Sequence, residues 1–295
     1  MEFNLYLPQM RMSFEHIVTR ARAAEHAGFD GITSMDHLAP PLAESQPMYE
    51  AVVTSTWLAA HTERLRVGSL VLCEAFRHPA VLARQVVSLD HASGGRYELG
   101  IGWGSVPNEL LMFGVGSTEA RGRVQRLRET LEVLRALWAG EVVDYDGEFH
   151  HLKGARQEPK PLGRIPIIIG GTGPKTLELV REFADWWNLQ TGVLGTIDEL
   201  RAQVGDARAS IQQMVALVRR GDDREEVTAL AMRRFGRSRP VIGTAPELVD
   251  HFGRMSEQGI ERVYTWFTDF APAETLAEFG EDVITPLGHQ QGLRI

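Results

Sequence analysis

The chain lacks the features that mark several protein classes. Its 295 residues include one cysteine, Cys73, so no disulfide can form within the chain, and we expect a cytoplasmic protein. No apolar run approaches the roughly 18 residues needed to cross a bilayer, and the first ten residues lack the basic segment of a signal peptide. Lys and Arg number 31 against 39 Asp and Glu, a formal net charge of −8. This balance argues against binding to nucleic acid or to an anionic membrane.

Short apolar segments alternate with helical patterns along the chain. The segments predicted to be strands are residues 3–7, 31–35, 65–72, 97–101, 165–169, 186–190, 207–218 and 262–267. The seventh, 207–218, also fits a helix, and both interpretations stay open. Strands that alternate with helices across short loops are typical of a parallel sheet. Eight such pairs, without a break in composition, predict one α/β domain, a (β/α)8 TIM barrel over residues 1–295.

Two segments interrupt the alternation and are predicted to be insertions. The first lies near residues 140–163, where Tyr145, Asp146 and Gly147 supply turn chemistry between two short β-like runs, so we expect a hairpin. The second lies near 219–243 and contains a charged helical pattern. A long helix is predicted at 121–138, and we expect the arginines of its first half to form a solvated face: Arg121, Arg123, Arg126 and Arg128.

The ends of the predicted strands carry the residues that suggest chemistry, because TIM-barrel active sites lie at the carboxyl ends of the strands. Asp36 and His37 follow the second strand. They form a candidate acid–base or hydrogen-bonding pair, although a lone histidine is often structural. The other histidines lack convincing metal-ligand spacing, so we predict no metal site.

The segment Gly170-Gly171-Thr172-Gly173 follows the fifth strand and precedes Pro174. Glycines let backbone N–H groups approach an anion, and a helix N-terminus adds a favourable dipole, so this segment fits a phosphate cradle. An ordinary glycine-rich turn is the alternative. The Lys-Ser/Thr of a P-loop is missing, which argues against a nucleoside triphosphate.

Several of these segments match a known family. They are AEHAGFDGITSMDH at 24–37, the stretch 65–104 that ends in GIGWG, Asn108-Glu109, PIIIGGTGPKTLELVREFADWWN at 166–188, and residues 261–284. In this order and spacing, the chain resembles the bacterial luciferase-like monooxygenase superfamily. Within it, the chain is similar to actinobacterial oxidoreductases that use coenzyme F420, a phosphorylated 5-deazaflavin. The resemblance covers nearly the whole chain.

The resemblance implies a role for individual residues. His37 would be the catalytic acid or base over the reactive face of the ring. Cofactor contacts would come from Asp36, Leu70, Val71, Cys73, Gly104, Asn108, Gly170, Gly171 and Thr172. In many relatives the third strand carries a bulge with a non-prolyl cis peptide behind the ring, which we place at Leu70-Val71. The substrate pocket would include Trp103, Ser105 and Glu109.

The chain departs from the sugar-phosphate dehydrogenase branch of this superfamily at two positions. It has Ser105 where that branch carries an acid, and it has no tryptophan near Pro41. Both differences argue against a sugar-phosphate dehydrogenase. The expected reaction is hydride transfer between C5 of the deazaflavin and a small organic substrate.

Two alternatives stay open, and the resemblance bears on partners. The chain could be an FMN-dependent monooxygenase that uses reduced flavin and O2, with a cofactor-reducing enzyme as its partner, or a non-catalytic flavin-binding barrel protein. Since relatives are often dimers, the resemblance also implies a homodimer.

Overall fold

A computed structural model describes residues 1–41, 43, 45–116, 119–140 and 142–292; residues 293–295 of the predicted domain lie outside the described residues. The strands are β1 Glu2–Tyr6, β2 Gly31–Ser34, β3 Arg66–Ser69, β4 Leu72–Cys73, β5 Tyr97–Gly102, β6 Val143–Asp146, β7 His151–Ala155, β8 Ile167–Gly170, β9 Trp186–Gln190, β10 Arg208–Leu217, β11 Val241–Gly243 and β12 Arg262–Phe267. The α-helices are α1 Phe14–His26, α2 Ala51–His61, α3 Pro79–Ser93, α4 Pro107–Phe113, α5 Ala120–Ala139, α6 Pro174–Phe183, α7 Ile197–Arg201, α8 Arg224–Phe235, α9 Ala245–Glu257, α10 Ala273–Phe279 and α11 Thr285–Gly292.

The strands close into a barrel. In the described part of the chain eight parallel strands pair in the order β1, β2, β3 with β4, β5, β8, β9, β10 and β12, and β12 returns to β1. The predicted TIM barrel is therefore confirmed. The segment 207–218 is strand β10, so the helical interpretation of it is wrong. None of the helices described is both long and apolar enough to cross a membrane.

Local sequence signals explain where the helices begin and end. The Ser13 hydroxyl accepts a hydrogen bond from the His16 N–H at 3.2 Å and caps α1, as expected for an N-cap serine. Helix α3 begins at Pro79 and ends before Gly94, whose φ of +66° is readily adopted by glycine. Thr244 and Glu247 form a capping box at the start of α9.

The third barrel strand is interrupted where a bulge was predicted. β3 ends at Ser69, β4 begins at Leu72, and the Leu70–Val71 peptide bond between them is cis. The neighbouring strand leaves room for this interruption, because a Cβ added to Gly102 would lie 2.9 Å from Val71 Cγ2. The predicted position of the bulge and of its cis peptide is therefore confirmed.

The two segments predicted to be insertions contain elements other than the eight strands that close the barrel. The first is an antiparallel hairpin of β6 and β7, but its turn lies at 147–150, after the predicted Tyr145-Asp146-Gly147. The Glu129 carboxylate of α5 accepts hydrogen bonds from the N–H groups of Glu148, Phe149 and His150, and this tertiary contact fixes the turn. The second insertion contains α8 and β11, and β11 pairs with the end of β10 beyond its pairing with β9.

The predicted solvated arginine face on α5 is wrong. Arg123 is 4% exposed, and the Arg126 Nε donates to the Glu74 carboxylate at 2.7 Å. Arg128 is partly exposed and pairs with Glu182 on α6, while the side chain of Arg121 lies outside the described residues. Helix α5 therefore packs polar as well as apolar side chains against the barrel.

Candidate active site

A cavity of about 540 Å³ opens at the carboxyl ends of the barrel strands. The predicted site residues that line it are Asp36, His37, Leu70, Val71, Cys73, Trp103, Gly104, Ser105, Glu109, Gly170, Gly171 and Thr172. These residues come from four strand ends that the sequence separates widely. The fold therefore brings most of the predicted site residues together around one cavity.

His37 is held by a buried carboxylate. Its Nδ1 lies 2.9 Å from Oε2 of Glu109, which the short helix α4 brings to the end of β2. The other carboxylate oxygen, Oε1, accepts hydrogen bonds from the N–H groups of Leu38 and Ala39, and Glu109 is 6% exposed. A carboxylate accepts only, so the Nδ1 of His37 carries the proton of this bond. The Nε2 atom is thereby left to act toward the cavity.

Asp36 ties the end of β2 to the segment after β4. Its Oδ2 accepts from the Cys73 N–H at 2.8 Å and from Arg77 Nη1 at 2.6 Å, and its Oδ1 accepts from Arg77 Nη2 at 2.9 Å. Burial on its own lowers the pKa of Arg77, but the Asp36 and Glu50 carboxylates outweigh burial and raise it. The guanidinium therefore stays charged, and Asp36 is neutralised within the wall. Its predicted cofactor contact stays a prediction.

Cys73 is a packing residue of the cavity wall. Burial raises the pKa of its thiol to about 12, against a smaller opposing effect of the Ala75 N–H. The thiol is therefore protonated near neutral pH and is a poor nucleophile. A Cβ added to Gly104, whose φ is +82°, would lie 3.0 Å from the Cys73 Sγ, so these two positions define a narrow side of the cavity.

Arg123 supports the turn that carries Trp103. Its Nη1 donates to the Gly104 carbonyl oxygen at 2.8 Å, and its Cζ lies 4.7 Å from the centroid of the Trp103 ring. Arg123 was predicted to face solvent, and its place beside the cavity was not predicted. A signal was present, because Arg123 precedes the fully buried Leu127 by four positions and so shares its helix face.

The glycine-rich segment before α6 lies in the cavity, and its role as an anion cradle stays a prediction. The Gly171 N–H donates to the Asn188 carbonyl oxygen at 3.3 Å, so the N–H groups that follow it are the ones available to an anion. Gly171 has a φ of +131°, and an added Cβ would lie 3.0 Å from Thr176 Cγ2. The Trp187 Nε1 donates to the Gly171 carbonyl at 2.8 Å and fixes the loop. Helix α6 begins at Pro174, and the first N–H groups of a helix have no partner within it. These N–H groups, together with the helix dipole, suit a phosphate.

Comparison with known proteins places this site in a family. The family described as luciferase-like monooxygenase matches residues 1–280. The chain belongs to this family. The superfamily resemblance predicted from the sequence is therefore confirmed.

A curated relative of this luciferase-like chain is the F420-dependent glucose-6-phosphate dehydrogenase of Microbacterium testaceum (strain StLB037). It is 32% identical over 222 residues, which cover 72% of this chain and 66% of the relative. The matched segment thus spans slightly less than two thirds of that enzyme.

Two solved structures share the fold of the luciferase-like chain. One is an F420-dependent secondary alcohol dehydrogenase in complex with an F420-acetone adduct, with a TM-score of 0.84 and 18% identity, covering 97% of this chain and 98% of the other. The second is the monooxygenase RslO1 from Streptomyces bottropensis, with a TM-score of 0.81 and 21% identity, covering 97% and 99%. At these identities the likeness concerns the fold.

Four neutral polar side chains that line the cavity of the luciferase-like chain were not predicted from the sequence: Tyr6, Thr176, Asn188 and Gln212. Tyr6 ends β1, so the rule that sites lie at strand ends could have found it. Gln212 lies in the middle of β10, and nothing in the sequence marks it. Burial raises the pKa of Tyr6 well above its usual value, with Gln212 acting in the opposite direction, so the phenol stays neutral.

One predicted cofactor contact is not brought into the cavity of the luciferase-like chain. Asn108 is exposed in the first turn of α4 and is not among the described residues that line the cavity. Its contact with a cofactor stays a prediction. Glu109, the next residue, is buried, because successive helical residues point about 100° apart.

Proposed function

We propose that this chain is an oxidoreductase that uses coenzyme F420 and transfers a hydride between C5 of its deazaflavin ring and a small organic substrate. The observation that carries the proposal is the His37–Glu109 pair, with Nδ1 and Oε2 2.9 Å apart, in a cavity that also contains the glycine cradle. The curated relative, an F420-dependent enzyme, supports the choice of cofactor. Membership of the luciferase-like family supports oxidoreductase chemistry.

The residues present fit a flat ring that bears a phosphate. Leu70, Val71 and Cys73 line one part of the cavity, with Gly104 close to the Cys73 sulfur, which leaves a narrow space bounded by backbone and small side chains. Gly170, Gly171 and Thr172 form the segment between the end of β8 and the start of α6, and the N–H groups at a helix start suit an anion. We propose that the ring lies against the first group and the phosphate against the second.

The proton that accompanies hydride transfer is assigned to His37. The bound cofactor supplies a carbon, C5, that accepts or donates the hydride. An alcohol that loses a hydride must also lose its hydroxyl proton, and the unprotonated Nε2 of His37 can accept it. In the opposite direction the same nitrogen donates a proton to the carbonyl oxygen. Glu109 keeps the ring of His37 in the tautomer that this task requires.

Titration of the purified protein with F420 and with FMN tests the proposal. We expect F420 to bind at micromolar concentration or tighter and to be reduced by a member of an alcohol panel, followed by loss of its absorbance. Binding of FMN without F420 would overturn the proposal and favour the FMN-dependent monooxygenase, which needs reduced flavin from a partner enzyme. Bound F420 that no substrate or reductant changes would favour the non-catalytic barrel protein.

Homodimerisation and a cytoplasmic location stay predictions. Light scattering of the purified protein tests the first, with a mass near twice 32.9 kDa expected. A mass near 32.9 kDa would contradict it.

A further inference from the structure

We infer that the substrate of this site is uncharged, a small neutral alcohol or carbonyl compound and not a phosphorylated or carboxylated one. The inference rests on the proposed function and concerns the part of the cavity that His37 faces. It is carried by the charges of the residues that form the cavity wall. It distinguishes the substrate of this chain from the phosphorylated sugar of its relative, the F420-dependent glucose-6-phosphate dehydrogenase.

The wall of the cavity supplies neutral polar groups. Among the described residues that line it, no lysine or arginine occurs. Hydrogen bonds are available from Tyr6, Ser105, Gln190 and Gln212. Such groups bind hydroxyl and carbonyl oxygens well but do not neutralise a phosphate or carboxylate, which proteins hold mainly with arginine, lysine or helix N-termini.

The cations close to the cavity are engaged behind its wall. Both terminal nitrogens of Arg77 bond the Asp36 carboxylate, and one also contacts Glu50. Arg123 is 4% exposed, donates to the Gly104 carbonyl and lies over the Trp103 ring. To reach a substrate, either side chain would have to abandon these partners. The N–H groups at the start of α6 are assigned above to the cofactor phosphate.

The charge that does face the cavity is negative. Glu109 lines the cavity and its partner is His37, so the pair is negative when His37 acts as a base and has no net charge when His37 carries a second proton as an acid. In neither state does the pair supply a net positive charge. An anionic substrate would therefore be desolvated beside a carboxylate without a compensating cation, which is unfavourable. A neutral substrate avoids this cost, and its hydroxyl or carbonyl oxygen can reach His37 while its carbon skeleton contacts Trp103 and Val193. Since the cofactor ring shares a cavity of about 540 Å³, the substrate is small.

Matched pairs of compounds test the inference in the F420-loaded enzyme. Cyclohexanol is compared with 4-hydroxycyclohexanecarboxylate, and glucose with glucose 6-phosphate, by following the loss of F420 absorbance. In whichever pair the enzyme accepts as substrates, we expect kcat/KM for the neutral compound to be at least about tenfold higher than for the anionic one. A tenfold ratio corresponds to about 1.4 kcal/mol. Equal or higher kcat/KM for the anionic member would overturn the inference.

A second experiment introduces a positive charge at the opening of the cavity. Gln190 is exposed at the end of β9, so Gln190→Arg is compatible with the fold. We expect it to raise kcat/KM for the anionic member at least about fivefold relative to the wild type. Gln190→Met, which also removes the amide but adds no charge, is the matched control and should give no such gain. The same gain in both variants would show that charge is not the deciding property.

Failure of the proposed function has a different signature. If F420 does not bind, or if it binds and no compound reduces it, the proposed function fails. The inference is then decided by tryptophan fluorescence, with cyclohexanone and 4-oxocyclohexanecarboxylate titrated into the protein. Preferential quenching by the neutral ketone would support an uncharged ligand. Tighter binding of the carboxylate, or binding of neither compound at 100-fold molar excess, would overturn it.

Discussion

His37 and Glu109 show how two distant residues become one chemical unit. They are 72 positions apart and belong to the loop after β2 and to helix α4. Glu109 is fixed on both oxygens, by His37 and by two backbone N–H groups. Its part in the proposed reaction is to position His37, since in the proposed arrangement the imidazole faces the substrate.

We expect Glu109→Gln to lower kcat about 10- to 100-fold, the range found when a group that orients a histidine is lost. The amide can donate to Nδ1 and so favour the wrong tautomer, while KM should change less than threefold. Steady-state kinetics with F420 measure both. Glu109→Asp should restore part of kcat. The exposed pair of His151 and Asp146, 2.8 Å apart, gives the control Asp146→Asn, which should leave kcat unchanged.

We expect His37→Ala to lower kcat about 10²- to 10⁴-fold, because the acid–base group is removed. The dissociation constant for F420 should change less than threefold, since the phosphate and the ring are assigned to other residues. Fluorescence titration and steady-state rates check the two quantities. The partly exposed His61, replaced in the same way, is the control. A normal kcat for the His37→Ala protein would contradict the assignment of His37 as the acid–base residue.

At this scale the sequence predicted the positions of strand-end residues but not their contacts. His37 and Asp36 were found because they follow a predicted strand. The pairing of His37 with Glu109 was not predicted, because it depends on α4, a helix of 7 residues that the sequence did not indicate. The burial of Arg123 was missed because arginine was assigned to solvent by residue type alone.

The loop before α6 tests the proposed phosphate cradle at the scale of one element. In Gly171→Ala the new methyl group would meet Thr176 at a φ of +131°, which side chains rarely adopt. We expect the dissociation constant for F420 to rise at least about tenfold. Gly173→Ala is the matched control, since that residue has a φ of −68° and keeps its N–H. A rise of the same size in both variants would point to general damage of the loop.

The hairpin insertion is anchored by a carboxylate whose effect on stability depends on pH. Burial alone would raise the pKa of Glu129, but the N–H groups of Phe149, Glu148 and His150 outweigh it and lower the pKa. Stabilisation by Glu129 is therefore present above the unfolded-state pKa of glutamate, about 4.3, and is lost as the pH falls through the lower folded-state pKa.

Accordingly, Glu129→Gln should reduce the free energy of unfolding by roughly 2 kcal/mol at pH 7. The difference from the wild type should shrink when both are unfolded in urea at progressively lower pH, down to about pH 3. Glu148→Gln, an exposed change in the same hairpin, should cost less than about 0.5 kcal/mol. A difference for Glu129→Gln that does not vary with pH would contradict the assignment.

The elements themselves were predictable to different degrees. β9 and β12 have the predicted bounds, because apolar runs between turn residues define buried strands closely. The hairpin turn was displaced by contacts with Glu129, which lies 19 to 21 positions away. β10 was ambiguous between strand and helix because most of its residues are buried. When both faces of a segment are apolar, the spacing of its hydrophobic residues does not distinguish a strand from a helix.

The amino-terminal end of the barrel is closed by a buried charge cluster. Arg262 is fully buried and bonds the Glu98 carboxylate at 2.6 Å and Glu2 at 2.6 Å. Its Cζ lies 3.8 Å from the Trp186 ring centroid, and that of Arg208 lies 4.0 Å from it. These contacts join β1, β5, β9 and β12, so the cluster ties together both halves of the barrel.

We expect Arg262→Met to reduce the free energy of unfolding by about 3 kcal/mol, because the buried Glu98 loses its bidentate partner and keeps only Arg66, whose Nε lies 3.4 Å from its Oε1. Arg208→Met should cost less than about 1 kcal/mol, since the side chain of Arg208 is 47% exposed. Urea unfolding of the two variants measures the difference. Similar losses in both would mean that the stacking on Trp186, and not the buried ion pair, is what matters.

The whole fold was the most predictable level. The eight strand–helix pairs in the sequence were enough to predict the barrel. A closed parallel sheet covered by helices is the arrangement that buries so many apolar strands within one domain. The second insertion was only located as a charged helical segment. Its strand β11 pairs with β10 through three residue pairs, and so short a pairing leaves no periodic signal in the sequence.

The pairing of β1 with β12 bears on how the chain folds during its synthesis on the ribosome. Glu2 of β1 lies opposite Arg262 of β12 in the folded barrel. At a synthesis rate of about 5 to 20 residues per second, β12 emerges from the ribosome roughly 15 to 50 s after β1. During that interval β1 presents an unpaired edge to the cell. A nascent chain of this kind offers other chains a template for pairing, and slow synthesis of its last quarter would lengthen that exposure.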